Sequence, residues 1–386
     1  MFRYLFRITC IALFSLLILQ GCNRKKEQNT HQSKSTGSGT DIKYAQGFII
    51  KKLDNYTEIK VFNPWQKLKG KSLTYILCAP DDQIPDSIHF DALIRVPVRR
   101  VICMSTTHVA MIDALDELES VIGISGGQYI SNPFIQERLE NGVVKDVGYE
   151  QSLNYETILN LRPDLVIMYG VSGEVSTQLH RLNSLSIPVV LDAEYLEKEP
   201  LAKTEWIKFI GLFYNKLDVS VSLFNDIVQS YEDLTALTIN QVTKPTVFTG
   251  LPWKNTWWVP GGSSYAAKFI SDAGGTYLWE DDPGHEAMPL DIEAVYEKAN
   301  QADIWINSGA VHFKSEIVLA DNRLKEFKAY HTGMIFNNNA MISETGGNQY
   351  WESGVMNPHI ILQDLIKIFH PDLLPDHTLV YYKKIK

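Results

Sequence analysis

One serine stands where nucleophilic chemistry is formally possible. Gly123-Ile124-Ser125-Gly126-Gly127 matches the G-x-S-x-G elbow of hydrolases. That elbow needs a helix directly after the serine. Here the next helix start is Ser131-Asn132-Pro133, where proline favours the first helical turn. The glycines read instead as a sharp turn, or a place where backbone approaches a ligand. A serine hydrolase built on Ser125 is therefore the alternative reading, and no catalytic residue is assigned. His285 and His312 lie in polar loops and are of a type that ligates a chelated metal axially. Capture of a free ion needs three or four convergent N, S or O ligands. No such spacing occurs, so no metal site is assigned. Zinc-protease, phosphate-cradling and dinucleotide motifs are absent, and no resident cofactor is expected. The net charge of −9 argues against a nucleic-acid partner.

The richer signal is aromatic. In open parallel sheets a ligand sits beyond the carboxyl ends of the strands. The loops at those positions are 105–108, 126–131, 169–173, 253–265, 280–288 and 308–314. They supply the candidate ligand residues Ser105, Thr106, His108, Gln128, Tyr129, Tyr169, Trp253, Lys254, Trp257, Tyr265, His285 and His312. Large flat side chains with a few polar groups suit a large, partly apolar ligand. About half of the aromatics are expected to be core instead, and Trp257 and Trp258 should point in opposite directions if extended.

These loops must be positioned by alternating short strands and helices, which read as an α/β fold with mostly parallel sheets. The same unit occurs twice. The first runs from the strand at 100–104 through a helix at 109–118. It closes with Leu153-Asn154-Tyr155-Glu156 and Arg162-Pro163-Asp164-Leu165-Val166-Ile167. The second runs from 246–249 through a helix at 264–272, and closes with Leu290-Asp291-Ile292-Glu293 and Asp303-Ile304-Trp305-Ile306. Asn154 and Asp291 are N-cap residues, each followed two positions later by glutamate. Acids there favour the positive end of the helix dipole. Between the units, 203–240 carries apolar residues at helical spacing and is expected to form one long connecting helix.

The ends of the chain set its location. A basic start and an uncharged apolar run at 8–19, too short to span a membrane, read as a signal peptide over 1–21. Leu19-Gln20-Gly21-Cys22 resembles the bacterial lipobox, so Cys22 is the expected lipidation site. Residues 22–40 are a polar tether. The basic residues after Cys22 favour the periplasmic side over the cell surface. A β-rich extension follows at 41–97, with strands expected at 47–52, 58–62 and 72–77. The lobes are 98–202 and 241–356, and 357–386 holds a helix and a terminal strand expected to pair with the extension. Cys78 and Cys103 lie in apolar strands and are either a disulfide or buried free thiols.

From about Val98 to Phe369 the sequence resembles the periplasmic-binding-protein family that serves iron-siderophore, haem and cobalamin importers. The carriers are the stretch from Gly148 to Ile167, with its Leu-Arg-Pro-Asp-Leu-Val-Ile, and the matching Glu293 segment. The resemblance implies two three-layer α/β lobes, a single connecting helix and a ligand held between the lobes. It also implies a monomer that delivers a metal chelate to an ABC import permease with a separate ATPase. Members of the family use one glutamate per lobe to pair with permease arginines, which makes Glu156 and Glu293 docking residues. The extension departs from a minimal member and has no implied role. Cations in the candidate loops are few, chiefly Lys254 and Lys314. This favours a hydroxamate-like or mixed siderophore, a corrinoid or haem over a highly anionic catecholate.

Overall fold

The computed structural model describes residues 39–386, apart from 67, 69, 150, 151, 172 and 173. The segment read as a signal peptide, Cys22 and nearly all of the expected tether lie outside the described residues. Among the described residues no helix is long and apolar enough to cross a membrane.

The extension forms a sheet of β1 (Gly39–Thr40), β2 (Phe48–Lys52), β3 (Thr57–Phe62), β4 (Ser72–Cys78) and β5 (Ala92–Arg95), in that order. Alternation shows which face is covered. Phe48, Ile50, Ile59 and Val61 are buried, while Ile49 and Lys51 between them are exposed. All three strands expected here are present.

The first lobe holds β6 (Val101–Cys103), α1 (Thr106–Ala114), β7 (Val121–Ile124), α2 (Pro133–Glu140) and β8 (Lys145–Asp146). It continues with α3 (Tyr155–Leu161), β9 (Leu165–Met168), α4 (Glu174–Ser184) and β10 (Val189–Leu191). Its sheet runs β10-β9-β6-β7-β8, all parallel. Alternate strand residues enter different cores. Val101, Cys103 and Ile167 pack with α1, whereas Ile102, Val166 and Met168 pack with Ile158 of α3 and Val175 and Leu182 of α4. Helices therefore cover both faces.

The connecting stretch is α5 (Pro200–Glu205), α6 (Ile207–Phe213) and α7 (Leu217–Thr238). A long helix is present at 22 residues, but it begins at Leu217 rather than near 203. The cause is local. Asn215 takes a left-handed φ of 56°, and the Lys216 amide donates 2.8 Å to Gly211 O, closing α6 as a Schellman-type end. All of α6 is buried, and the rings of Trp206 just before it and Phe209 within it receive the extension: Phe48 lies 4.5 Å from Trp206 and 5.8 Å from Phe209. Extension and first lobe share one core.

The second lobe contains β11 (Thr246–Thr249), β12 (Thr256–Pro260), α8 (Tyr265–Asp272), β13 (Thr276–Tyr277), β14 (Ala287–Asp291) and α9 (Ile292–Ala299). It is completed by β15 (Ile304–Ile306), α10 (Lys314–Ala320), α11 (Lys328–Thr332), β16 (Ile335–Asn337), α12 (Pro358–Phe369) and β17 (Lys383–Lys384). Its sheet order is β13-β11-β15-β16-β17, and β12 with β14 forms a separate antiparallel ribbon. The terminal strand is shorter than expected and does not join the extension. It pairs antiparallel with β16, because the buried Asp364 carboxylate gathers the amides of Val380, Tyr381 and Tyr382 and directs the tail to that edge.

The repeat has the same chemistry in both lobes. Asn154 accepts from Thr157 N at 3.0 Å and Asp291 from Ala294 N at 2.7 Å. Asp164 ties down the start of the first-lobe sheet at Arg99 and Arg100, and Asp303 does so at Thr246. Cys78 and Cys103 are buried free thiols.

The extension is held by a buried charge. The Glu205 carboxylate accepts from the amides of Lys43, Tyr44 and Ala45 at 2.7–3.1 Å, and pairs with Lys208 Nζ at 2.6 Å. Removing one partner of such a pair strands the other, at a cost of roughly 3–5 kcal/mol. Glu205→Ala should lose about that much in urea unfolding, while Asp54→Ala, on an exposed turn of the extension, should stay within about 0.5 kcal/mol of the parent.

Candidate functional site

A pocket of about 500 Å³ lies between the lobes. The first lobe supplies Tyr195, Leu196, Glu197 and Lys198, which follow β10, and α5 supplies Lys203. The second lobe supplies Ser264 and Tyr265 at the start of α8, His285 and Glu286 from the loop before β14, and Ala287 at the start of that strand. Gln66 of the extension completes the lining. Ser264 caps α8 by accepting from Ala267 N at 3.2 Å, which fixes Tyr265 in the first turn. Lys203 spans the gap: its Nζ lies 4.8 Å over the Tyr265 ring and 3.5 Å from Glu194 Oε2. The His285 loop lies flat on Gly261 and Gly262. A Cβ at residue 262 would sit about 2.5 Å from the carbonyl oxygens of Trp279, Glu280 and Asp282, so only glycine allows this approach.

A narrower recess opens at the carboxyl ends of β6, β7 and β9, between Met104, Ser125, Tyr149, Met168 and Tyr169. Tyr195 links it to the larger pocket. Its ring lies 6.2 Å from that of Tyr169, and its hydroxyl donates to Gly170 O. Burial pushes the Tyr195 phenol up to about 12. In the same lobe His108 and Asp192 are buried 3.8 Å apart. His108 Nδ1 and Asp192 Oδ2 have no hydrogen-bond partner. Loss of solvent drives the imidazole down to about 3 and the carboxyl well above its ordinary range. Burial thus favours the neutral form of each.

The other expected site residues are distributed unevenly. Tyr265 and His285 line the pocket, and Tyr169 lines the recess. Ser105 caps α1 by accepting from Thr107 N, with Thr106 half-buried beside it. Gln128 and Tyr129 are exposed, Tyr129 lying edge-on to Tyr149 at 6.5 Å. His108 is too deeply buried for a ligand to touch. Trp257 is also core: its indole donates to Thr249 O at 2.9 Å and its ring packs 5.8 Å from Trp305. Alternation along β12 turns Trp258 outward, as expected. Trp253 and Lys254 occupy the exposed turn before β12, stacked on each other at 4.2 Å. Thr256 pairs with Asp291, so this turn sits at the tip beside α9 and outside the pocket lining. His312 is beside Lys383, with its amide on Glu316. Lys314 bonds Tyr330 O.

The sequence reading missed Gln66, Tyr195, Lys198 and Lys203. The pocket's cations are these two lysines rather than Lys254 and Lys314. Lys203 was legible only as a helix residue, and Gln66 carried no local signal.

Glu156 and Glu293 are both exposed in the first turns of α3 and α9. Glu156 has no hydrogen-bond or ion-pair partner among the described residues. Glu293 accepts from Arg323 Nη1 at 2.7 Å, which lowers its pKa. The elbow geometry needed by a Ser125 nucleophile is absent. Gly126 turns left-handed at φ 67°, and a short 3-10 turn at 127–129 follows instead of a helix. Among the described residues no histidine bonds the Ser125 hydroxyl, and no three metal-ligating side chains converge.

Two α/β lobes with a lined cleft at their junction define a binding protein. Residues 101–339 match the profile of the periplasmic binding proteins, and the chain belongs to that family. An uncharacterised lipoprotein of Methanocaldococcus jannaschii is 26% identical over 416 residues, covering 99% of this chain and 96% of the relative. The periplasmic haem-binding protein of Roseiflexus sp. RS-1 shares the fold with a TM-score of 0.54, at 20% identity over 71% of this chain and 99% of that one. The ABC-type Fe3+-hydroxamate transport system of Saccharomonospora viridis does so with a TM-score of 0.55, at 16% identity over 81% and 98%. The family places the chain among extracytoplasmic substrate binders of ABC transporters, with a small-molecule ligand and permease partners.

The neutral His108 gives a measurable pH signature. Its folded pKa lies below the unfolded value, so the unfolded chain binds a proton that the folded chain refuses. Stability therefore falls as pH drops from about 6.5 toward 3, by roughly 1.4 kcal/mol per pH unit from this group. His108→Gln should remove that share of the slope in urea unfolding at pH 6.5, 5.5 and 4.5. The comparison is made in an Asp192→Asn background, because the raised Asp192 carboxyl lies 3.8 Å from the mutated ring and acts with the opposite sign. The raised Glu352 carboxyl also acts with the opposite sign but cancels in the difference.

Proposed function

We propose that this chain captures an intact metal chelate, first a ferric siderophore of hydroxamate or mixed type, then cobalamin or haem. It then hands the chelate to an ABC import permease from a lipid anchor at Cys22. The observation that carries the reading is the interlobe pocket, where tyrosines, two lysines and a histidine from both lobes meet in about 500 Å³. Ligand pockets of this size are mostly preformed, and aromatic faces with a few placed polar groups suit a partly apolar chelate with an oxygen rim. The cations favour oxygen acceptors on the ligand without supplying enough charge for a catecholate. No turnover is expected.

Tryptophan fluorescence, titrated with ferric desferrioxamine, haemin and cyanocobalamin, should show saturable 1:1 binding of one of the three. Binding of a sugar, a peptide or a free metal with all three chelates silent would overturn the substrate class.

Delivery separates from capture at Glu156 and Glu293. Both are exposed on helix starts at equivalent positions of the lobes, as docking charges for permease arginines require. Glu293 is already paired with Arg323, but exposed pairs are weak and exchange readily. The Glu156→Lys/Glu293→Lys double variant should bind chelate with unchanged affinity, yet lose uptake in cells lacking the parent copy, because attraction becomes like-charge repulsion. Each single variant should show a partial defect. Normal uptake by the double variant would end the docking assignment.

A further inference from the structure

We propose that the N-terminal extension forms a third wall of the ligand cleft, with Gln66 as its recognition group. The inference rests on the chelate-binding reading. It concerns a segment outside the family match, which begins at residue 101. The M. jannaschii relative aligns over 99% of this chain, so its alignment spans the extension.

Gln66 is brought to the pocket by the turn between β3 and β4. That turn is locked at its neck: Asn63 N–H donates to Lys71 O, and Gly70 N–H to Asn63 Oδ1, both at 2.8 Å. Asn63 itself takes a left-handed φ of 45°, which asparagine tolerates better than most residues. The turn is seated on the first lobe. Trp65 packs against the core formed by α3, α4 and the sheet. Its Cβ would lie 3.0 Å from a Cβ on Gly170, so the missing side chain there gives the turn its place. The Gln66 backbone lies against the Tyr195 hydroxyl, which in turn bonds Gly170 O. The sheet behind the turn is joined directly to the lobe, because Leu191 N–H donates to Tyr75 Oη at 2.9 Å. Trp65 and Gln66 are therefore held on the first lobe, and the second lobe faces them across the pocket.

The chemistry follows from what Gln66 shares the pocket with. Its amide both donates and accepts, and Lys198, Lys203 and His285 line the same space. The part of the ligand that reaches this wall carries oxygen acceptors, such as the amide, hydroxamate or carboxylate groups at the rim of a chelate. A body with no extension would leave this side open, so the extension limits ligand size and selects for that rim.

Geometry and recognition are tested separately. In ligand-free protein a Gln66→Cys/Ala287→Cys pair should close with a short bismaleimide, whereas an Asp54→Cys/Ala287→Cys pair should not. Cys10 and Cys22 are replaced by serine in both pairs, and the remaining native cysteines, Cys78 and Cys103, are buried and do not compete. Failure of the first pair to close, or closure of both, overturns the wall. Recognition is then read with whichever of ferric desferrioxamine, haemin and cyanocobalamin saturates the parent protein. Gln66→Ala should weaken its Kd by about two- to tenfold, the size of one hydrogen bond. Gln66→Trp, which fills the wall, should weaken it at least about tenfold with an unchanged circular dichroism spectrum. An unchanged Kd for Gln66→Trp overturns the proposal while leaving the chelate reading intact. If none of the three binds the parent protein, the chelate reading fails, and the cross-link alone decides whether the extension walls the cleft.

Discussion

Buried carboxylates that collect backbone amides hold this protein together. A carboxylate removed from water is costly unless its oxygens are fully bonded. Glu205 meets that demand with three amides and Lys208. Glu197 meets it at one oxygen: Oε1 receives the amides of Gln46 and Gly47 and the indole of Trp206 at 2.9–3.1 Å, and burial raises the pKa of the carboxyl. Asp364 binds the amides of 380–382 and His377. In each case the amides belong to a segment next to a strand, 43–47 before β2 and 380–382 before β17. Segment and acid satisfy each other, and neither end of the folded body is left to fray.

The same device joins the lobes. Glu352 of the second lobe accepts from Ser131 N–H of the first at 2.7 Å, and burial pushes its carboxyl up to about 7. Thr204 Oγ1 of α5 reaches across to Val355 O at 2.7 Å. The helix α7 places Phe224 in the first core and Tyr231 and Leu234 in the second. Together these contacts brace the lobes along one side and leave the side with Tyr195, Tyr265 and His285 open. A cleft braced in this way is largely preformed, so less ordering cost is charged against the ligand.

Much of this frame was legible in the sequence because it is set locally. Asn154, Asp291 and Ser264 start helices by bonding amides three residues on, and a spacing of three is visible in a string of letters. The repeated unit was legible for the same reason, down to Asp164 and Asp303. What failed depended on distant partners. The terminal strand was assigned to the wrong sheet, because Asp364 directs it from another helix. The connecting helix was read as too long, because a hairpin at Asn215 breaks no hydrophobic periodicity. Of the aromatics expected in the cleft loops, Tyr265 lines the interlobe pocket and Tyr169 the recess, whereas Trp257 turns inward and Trp253 lies on an exposed turn. Gln66, Lys198 and Lys203 escaped notice because only tertiary packing brings them to one cavity.

That packing also ties the extension to the cleft at Glu197. Glu197 borders the interlobe pocket and also a smaller cavity under the extension, lined by Tyr44, Gln46 and Gly47. Gly47 is packed so closely that a Cβ would meet the Trp206 ring at 2.6 Å and Glu197 Oε1 at 3.1 Å. Any side chain there would push Glu197 away from its amides. Its neighbour Lys198 would move with it, since the two are adjacent on the segment after β10. The anchor of the extension and the charge on the cleft wall are thus set by one short stretch of chain. An element outside the family match, which begins at residue 101, shares the residue that borders both the extension's cavity and the interlobe pocket.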